Sequence, residues 1–265
     1  MPEEPANNIS GGIDGGGRPA EFSHGEPASR AEAVIDRLGE LYWQKQYGGQ
    51  DAFTCLVRTI LSQNTSDVAS QPAHNSLLSR YGRDDLAVSL AGAAHDELAA
   101  TIKSAGLYNQ KATVIIDAAS RILEEYGSAA SFDEFVRDET PETVRSALLD
   151  IRGVGPKTAD CVLLFGGGRD GVFPVDTHVH RIYRRLGIAP PDADHEEVRA
   201  VLEREVPAEK CGFGHTASIQ FGREYCTARK PACLDDPDAC PMADLCDQVG
   251  VYPVDGDVVD PAETV

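Results

Sequence analysis

No apolar stretch approaches the length needed to cross a bilayer, so no membrane span is expected. The opening Met-Pro-Glu-Glu offers neither a basic patch nor an apolar run, and no secretory leader is read there. A cytoplasmic chain with reduced thiols is therefore expected, which sets disulfides aside for the seven cysteines. Runs with strand-like alternation are nearly lacking, which argues against a sandwich or barrel of strands. Lysine is scarce, six of the 24 basic residues, and the net charge is −19. The broad cationic surface usual in nucleic-acid binders is missing.

Helical periodicity dominates instead. Phe53, Leu56, Val57, Ile60 and Leu61 recur at i, i+3, i+4, i+7, i+8, as do Ile115, Ala118, Ala119, Ile122 and Leu123. The chain reads as all-α, with about ten helices joined by short Gly- or Pro-containing turns. Its 265 residues suffice for one large or two modest domains with a real core. Residues 1–27 are rich in Gly, Asn and Pro and are expected to be disordered. The acidic stretch 248–265, with Asp247 just before it, has no basic residue and is expected to be a solvated tail.

The most informative segment is Ile151-Arg152-Gly153-Val154-Gly155-Pro156-Lys157-Thr158-Ala159-Asp160. Thr140 is a good N-cap, Pro141 suits the first helical position, and Val144, Ala147, Leu148 and Ile151 keep a helical spacing. Behind the Gly-Val-Gly bend a second helix opens at Pro156, with Ala159, Val162 and Leu163 on its apolar side. Helix, bend and helix make a helix-hairpin-helix. The glycines let backbone N–H groups approach a ligand, and a helix N-terminus favours an anion such as phosphate. Lys157 falls in the first turn of the outgoing helix, where a cation gains nothing from the helix dipole. Asp176, in Pro174-Val175-Asp176-Thr177-His178, reads equally well as a functional carboxylate and as a helix N-cap. His178 and His180 read as supporting or surface residues.

Near the C-terminus Cys226, Cys233, Cys240 and Cys246 are separated by gaps of six, six and five residues. Structural zinc sites usually contain one closer pair, whereas four thiolates also suit an iron–sulfur cluster. Spacing alone leaves zinc and a cluster both open. Cys55 and Cys161 read as small core residues, and Cys211 has no assigned role. Arg229 and Lys230, between the first two cysteines of the group, could contact phosphate or offset the thiolates.

In order along the chain, these segments resemble endonuclease III, a DNA glycosylase and abasic-site lyase of the helix-hairpin-helix superfamily. The resemblance extends to Ile60-Leu61-Ser62-Gln63-Asn64-Thr65-Ser66-Asp67 and to Gly106-Leu107-Tyr108-Asn109-Gln110-Lys111-Ala112, and runs from about residue 30 to about 247. It implies a six-helix barrel-like domain over 51–168 that carries the hairpin. It also implies a second helical domain, from 28–50 and 169–247, with a 4Fe-4S cluster on the four cysteines. Its implied partner is double-stranded DNA with a damaged base or an abasic site, bound by a monomer. The implied reaction removes oxidised pyrimidines and nicks the strand by β-elimination through a Schiff base on Lys157, with Asp176 as the ionised carboxylate. The implied DNA contacts are Gly153, Val154 and Gly155 at the hairpin and Arg229 and Lys230 at the cysteine loop. A wedge from Gln63 or Asn64 would fill the space left by a flipped base. The family's cysteine pattern usually has two residues in its middle gap, and this chain has six, with Leu-Asp-Asp-Pro-Asp-Ala inserted. A mismatch-specific glycosylase for thymine or adenine, or a non-catalytic DNA-binding module, remains the alternative.

The charge pattern has its own reading. Residues 141–186 hold seven basic against five acidic residues, a local +2 in a strongly acidic chain. Such an acidic, lysine-poor surface is expected of a protein from a very salty cytoplasm, as in a halophilic archaeon, where the Debye length shrinks to ~3 Å at 1 M salt. The unfolding midpoint is then expected to rise between 0.1 M and ~3 M KCl as self-repulsion is screened. A midpoint that stays level across that range would count against this origin.

Overall fold

Asp51 opens the helix Ala52–Ser62 by accepting from Thr54 N at 2.7 Å, and the apolar face read from the sequence packs inward. Phe53, Leu56, Val57, Ile60 and Leu61 are all fully buried. The computed structural model describes residues 17–22 and 25–265. The chain divides into two units, Gly48–Arg169 and a second made of the segments up to Tyr47 and from Asp170 onward. Among the described residues no helix is long and apolar enough to cross a membrane.

In the unit 48–169 the helix Tyr108–Tyr126 buries Ala112, Ile115, Ala118, Ala119 and Ile122 along one stripe. Ser128 caps the helix Ala129–Asp138 that follows. Thr140 then caps Pro141–Leu149 with a bond from Thr143 N at 3.3 Å. Asp67–Tyr81 and two shorter helices, Leu86–Ala91 and His95–Thr101, complete the bundle before Tyr108. The outgoing helix of the hairpin, Pro156–Cys161, widens at once into a π-helical turn, Val162–Gly166.

In the other unit Ala208–Glu224 is the central helix, buried continuously from Lys210 to Gly222. Arg30–Leu41, Thr177–Arg185 and His195–Glu205 belong to the same core, through Val34, Ile35, Leu38, Val179, Ile182 and Leu202. Asp194 and Glu197 form a reciprocal capping box on the last of these. The buried Lys210 ammonium reaches Glu32 at 2.8 Å and Asp36 at 2.7 Å, so its charge is compensated.

Two segments depart from the sequence reading. Gly17–Pro19 pairs antiparallel with Lys45–Tyr47, so part of the stretch expected to be disordered forms a short ladder. The expectation for residues 1–16 and 23–24 lies outside the described residues. The acidic C-terminal stretch is not a solvated tail. Val251–Tyr252 pairs with Asp257–Val258, Val251 and Pro261 are buried, and Asp260 makes an ion pair with the buried Arg184. Counting charge concealed the apolar residues that anchor this segment.

His74, on Asp67–Tyr81, is 7 % exposed. Burial, aided by Arg58 and Arg83, holds its imidazole down at about 4. An unfolded histidine takes up its proton near ~6.5. The folded chain therefore binds fewer protons between those two values, and stability rises with pH there. This contribution is complete above about pH 6.5 and is lost as pH falls toward 4. His74→Gln is predicted to shallow the acid-side decline of the unfolding midpoint, and an unaltered slope would refute this assignment.

Candidate active site and metal centre

The bend of the hairpin depends on one glycine more than the other. Gly153 has φ +84, and a Cβ there would lie 2.6 Å from Val114 Cγ2. Backbone conformation and the close approach to Tyr108–Tyr126 both require glycine. Gly155 is extended, φ −99, with open space where its Cβ would be. Val154 is 6 % exposed and its amide donates to Ile151 O at 3.0 Å. Expected as a DNA contact, Val154 instead pins the bend to the core. Thr158 and Ala159 amides both turn back to Gly155 O at 3.0 Å. The backbone around Gly153 and Gly155 is left as the part of the bend able to meet a ligand.

Lys157 is half-buried in the first turn of Pro156–Cys161. Burial pushes the nearby Cys55 thiol up to about 12, and the Lys157 charge acts on that thiol in the opposite sense. Asp160, one turn on, is buried and bonded to Arg145 at 2.7 Å, a structural pair.

Gln63 and Asn64, which the sequence left undivided, have different places. Gln63 Nε2 donates to Gly153 O at 3.1 Å and to Thr158 Oγ1 at 3.0 Å, so this amide is committed to the hairpin. Asn64 is exposed and sits in the left-handed region, φ +52. A second exposed residue with the same unusual backbone went unread: Leu107, φ +47, 57 % exposed. An exposed Leu at a helix start gives no signal in periodicity. Only its place in Gly106-Leu107-Tyr108 singled the segment out.

In the other unit Asp176 is a helix N-cap. Its Oδ1 accepts from His178 N and Val179 N, both at 2.9 Å, at the start of Thr177–Arg185. The cap uses one carboxylate oxygen and leaves Oδ2 outside it. The same helix holds the cysteine loop through its arginines. Arg181 Nη2 donates to Cys226 O at 2.8 Å, and Arg185 donates to Thr227 O and Ala228 O, each at 2.7 Å.

Cys226, Cys233, Cys240 and Cys246 line one pocket. Ile182, Phe221, Met242 and Val251 supply its apolar walls. Among the described residues no three His, Cys, Asp or Glu side chains are arranged to hold a single metal ion. The four thiols ring an apolar space instead, which fits a polynuclear cluster better than a tetrahedral zinc. Burial raises the Cys233, Cys240 and Cys246 thiols, the last to about 12, so bound iron would have to offset the cost of ionising them. The enlarged gap is absorbed by two short turns, Ala232–Asp235 and Pro237–Ala239. Asp236 closes them by accepting from Asp238 N at 3.1 Å. Arg229 and Lys230 are exposed on the first loop, with Lys230 2.9 Å from Asp235.

The basic cluster read over 141–186 is not a surface field. Arg145 serves Asp160, Arg169 serves main-chain carbonyls, and Arg181, Arg184 and Arg185 bond within their unit. Arg152, exposed in the bend, and Lys157 are the members of that set at the hairpin itself.

A glycine bend with a lysine behind it in one unit and a pocket lined by four cysteines in the other match a class of helical base-excision proteins with an iron–sulfur module. Residues 57–208 match the model of the HhH-GPD superfamily of base excision DNA repair proteins, and residues 226–246 that of the iron–sulfur binding domain of endonuclease III. The second match runs from Cys226 to Cys246. Endonuclease III of Bacillus subtilis is 34 % identical over 81 % of this chain and 90 % of that protein. A putative DNA repair glycosylase of Methanocaldococcus jannaschii is 29 % identical, covering 80 % and 92 %. The structure of a trapped endonuclease III–DNA covalent intermediate superposes with a TM-score of 0.68 at 26 % identity, covering 83 % of this chain and 96 % of that one. The chain belongs to the endonuclease III family of the HhH-GPD superfamily. It is a DNA glycosylase and abasic-site lyase that binds DNA and carries a 4Fe-4S cluster.

The two hairpin glycines separate folding from binding. Gly153→Ala is predicted to destabilise the fold by about 2 kcal/mol or more, through the left-handed backbone and the Val114 clash. Gly155→Ala should leave the unfolding midpoint unchanged within about 0.5 kcal/mol and still weaken DNA binding, because the methyl stands off the phosphate. Chemical denaturation and DNA titration of both variants check this. Equal stability losses would show the bend misread.

Proposed function

We propose that this enzyme excises oxidised pyrimidines from double-stranded DNA, as a monomer, and nicks the resulting abasic site by β-elimination. Lys157 is the nucleophile: its Nζ bonds to C1′ as the bond from C1′ to the base breaks and the base leaves with a proton. The sugar ring then opens as C1′–O4′ breaks, with O4′ taking a proton and the lysine nitrogen losing one, to give an iminium. Loss of a proton from C2′ of that iminium expels the 3′ phosphate, and water hydrolyses the remaining imine to free Lys157. An amine attacks only when unprotonated, and Lys157 stands in the first turn of Pro156–Cys161, where the helix dipole disfavours an added positive charge. Asp176 is the ionised carboxylate of the reaction, stabilising the positive sugar and assisting proton transfer; its Oδ1 is committed to the helix cap, which fixes the carboxylate. The observation that carries this reading is a lysine in the first turn behind a Gly-Val-Gly bend whose backbone can grip the adjoining phosphate.

The other roles follow from placement. Gly153 and Gly155 present main-chain amides to that phosphate, and Arg152 adds a cation beside them. Asn64 enters the stack in place of the flipped base, and Leu107 enters beside it. Both are exposed on tight left-handed turns, whereas Gln63 is tied to the hairpin. Flipping costs a few kcal/mol, least for a damaged base. Cys226, Cys233, Cys240 and Cys246 hold the cluster, whose part is to fold the loop that presents Arg229 and Lys230 to the backbone.

Borohydride reduction on abasic-site duplex tests the central step. The intact protein should be trapped as a covalent adduct, and Lys157→Ala should give none. Asp176→Asn should lower base release about 10²-fold. Absence of an adduct with the intact protein would falsify the lyase assignment. Duplexes bearing single oxidised pyrimidines or single mismatches, scored separately for base release and nicking, test the substrate class.

A further inference from the structure

Three exposed non-glycine residues of the unit 48–169 lie in the left-handed region, Asn64, Asp85 and Leu107, and the turns that hold Asn64 and Leu107 share one buried neighbour. That backbone is unfavourable for L-residues, more so for Leu than for Asn. Something must therefore hold both turns in shape. Between them lies Lys111, 3 % exposed, on the first turns of Tyr108–Tyr126. Its Nζ donates to Leu61 O at 2.7 Å, to Thr65 Oγ1 at 2.8 Å and to Ala105 O at 2.9 Å. An ammonium has three N–H donors, and all three are used.

The acceptors come from both turns. Leu61 and Thr65 flank Asn64, and Ala105 stands two residues before Leu107. Thr65 Oγ1 accepts from Lys111 and passes its own proton to Ala105 O at 2.5 Å, which closes a ring between the turns. The Lys111 amide donates to Leu107 O at 2.9 Å. Burial lowers the lysine pKa, a cost that capping a single helix end at the surface would not incur. Gln63, in the same stretch, carries the connection on to Gly153 O and Thr158 Oγ1.

We infer that Lys111 is a positioning residue for base opening: its ammonium locks the Asn64 and Leu107 turns to one another, so that both exposed side chains meet the base stack as one rigid tool. This rests on the reading of Asn64 and Leu107 as the residues that enter DNA. A lysine that merely stabilised the fold would affect every substrate alike. A positioning residue matters only where a stack must be opened.

The test compares borohydride adduct formation on an abasic site within a duplex and on the same site in a single strand, well below the unfolding midpoint of each variant. Lys111→Met, which keeps the stem and removes the donors, should lower the duplex-to-single-strand ratio of rates by at least about tenfold, as expected when reacting groups are misplaced. Thr65→Val removes one acceptor of the ring and should lower the ratio less, in the same direction; it decides the matter where Lys111→Met does not fold. Duplexes carrying 2-aminopurine beside the site should brighten less with either variant than with the intact protein. A ratio unchanged in the folded variants, whether or not both rates fall, would overturn the inference. The double variant Asn64→Ala, Leu107→Ala is the separate control. If it keeps the full ratio, the reading of those two residues fails, whatever Lys111→Met shows.

Discussion

The helix Thr177–Arg185 is the member on which the C-terminal unit rests, and its burden is electrostatic. It buries two guanidinium groups, Arg184 and Arg185, and half-buries a third, Arg181. Unpaired, each would be costly inside a protein. They bond to carbonyl oxygens of the cysteine loop, to Pro191 O at 2.6 Å and to Asp260, while Arg185 Nε is left as a buried donor with no hydrogen-bond partner among the described residues. The loop and the C-terminal segment are thus counter-charge as well as covering. Thiolates bound to iron in the adjoining pocket would add negative charge where Arg185 already lies 3.6 Å from Cys226 Sγ. The cysteine loop thus braces the C-terminal end of the helix whose N-cap is Asp176.

The hairpin unit solves a different problem, exposing main chain without loosening it. Gly153 is pressed against Val114, Val154 is buried, and Gln63 bonds to the bend from the neighbouring helix end. The outgoing helix is short but anchored by the buried Asp160–Arg145 pair. Lys157 stands on a turn fixed from three sides. Pre-set geometry of this kind lowers the entropic cost of whatever contact the bend makes.

Much of this was legible in the residues, and the failures have common causes. Helix positions followed from periodicity and caps: Thr140 with Pro141, and the Phe53 to Leu61 face, are where the spacing put them. The iron–sulfur cluster emerged from an ordered motif set that spacing alone left balanced against zinc. Partners distant in sequence were invisible. Nothing local says that Gln63 bonds across 90 positions to Gly153, or that Lys111 is buried between two turns. Asp176 read equally as cap and as functional carboxylate, and what the structure shows is the cap. The C-terminal stretch misled because its charges are conspicuous, while Val251, which walls the cysteine pocket, is one residue among them.

The acidity that first argued against DNA becomes coherent once the cations are located. Most arginines of the basic segment are spent on internal carbonyls and carboxylates, so the chain never had a cationic surface to lose. Affinity for DNA built on phosphate-neutralising lysines falls steeply with salt, because each contact releases a counterion. Contacts made by main-chain amides and by uncharged side chains release few. Recognition of that kind carries a shallow salt dependence and little attraction to undamaged duplex. A strongly acidic protein can use it in concentrated salt, where a cationic surface would be screened within a few ångströms. The charge of the chain and the geometry of its hairpin are two sides of one solution.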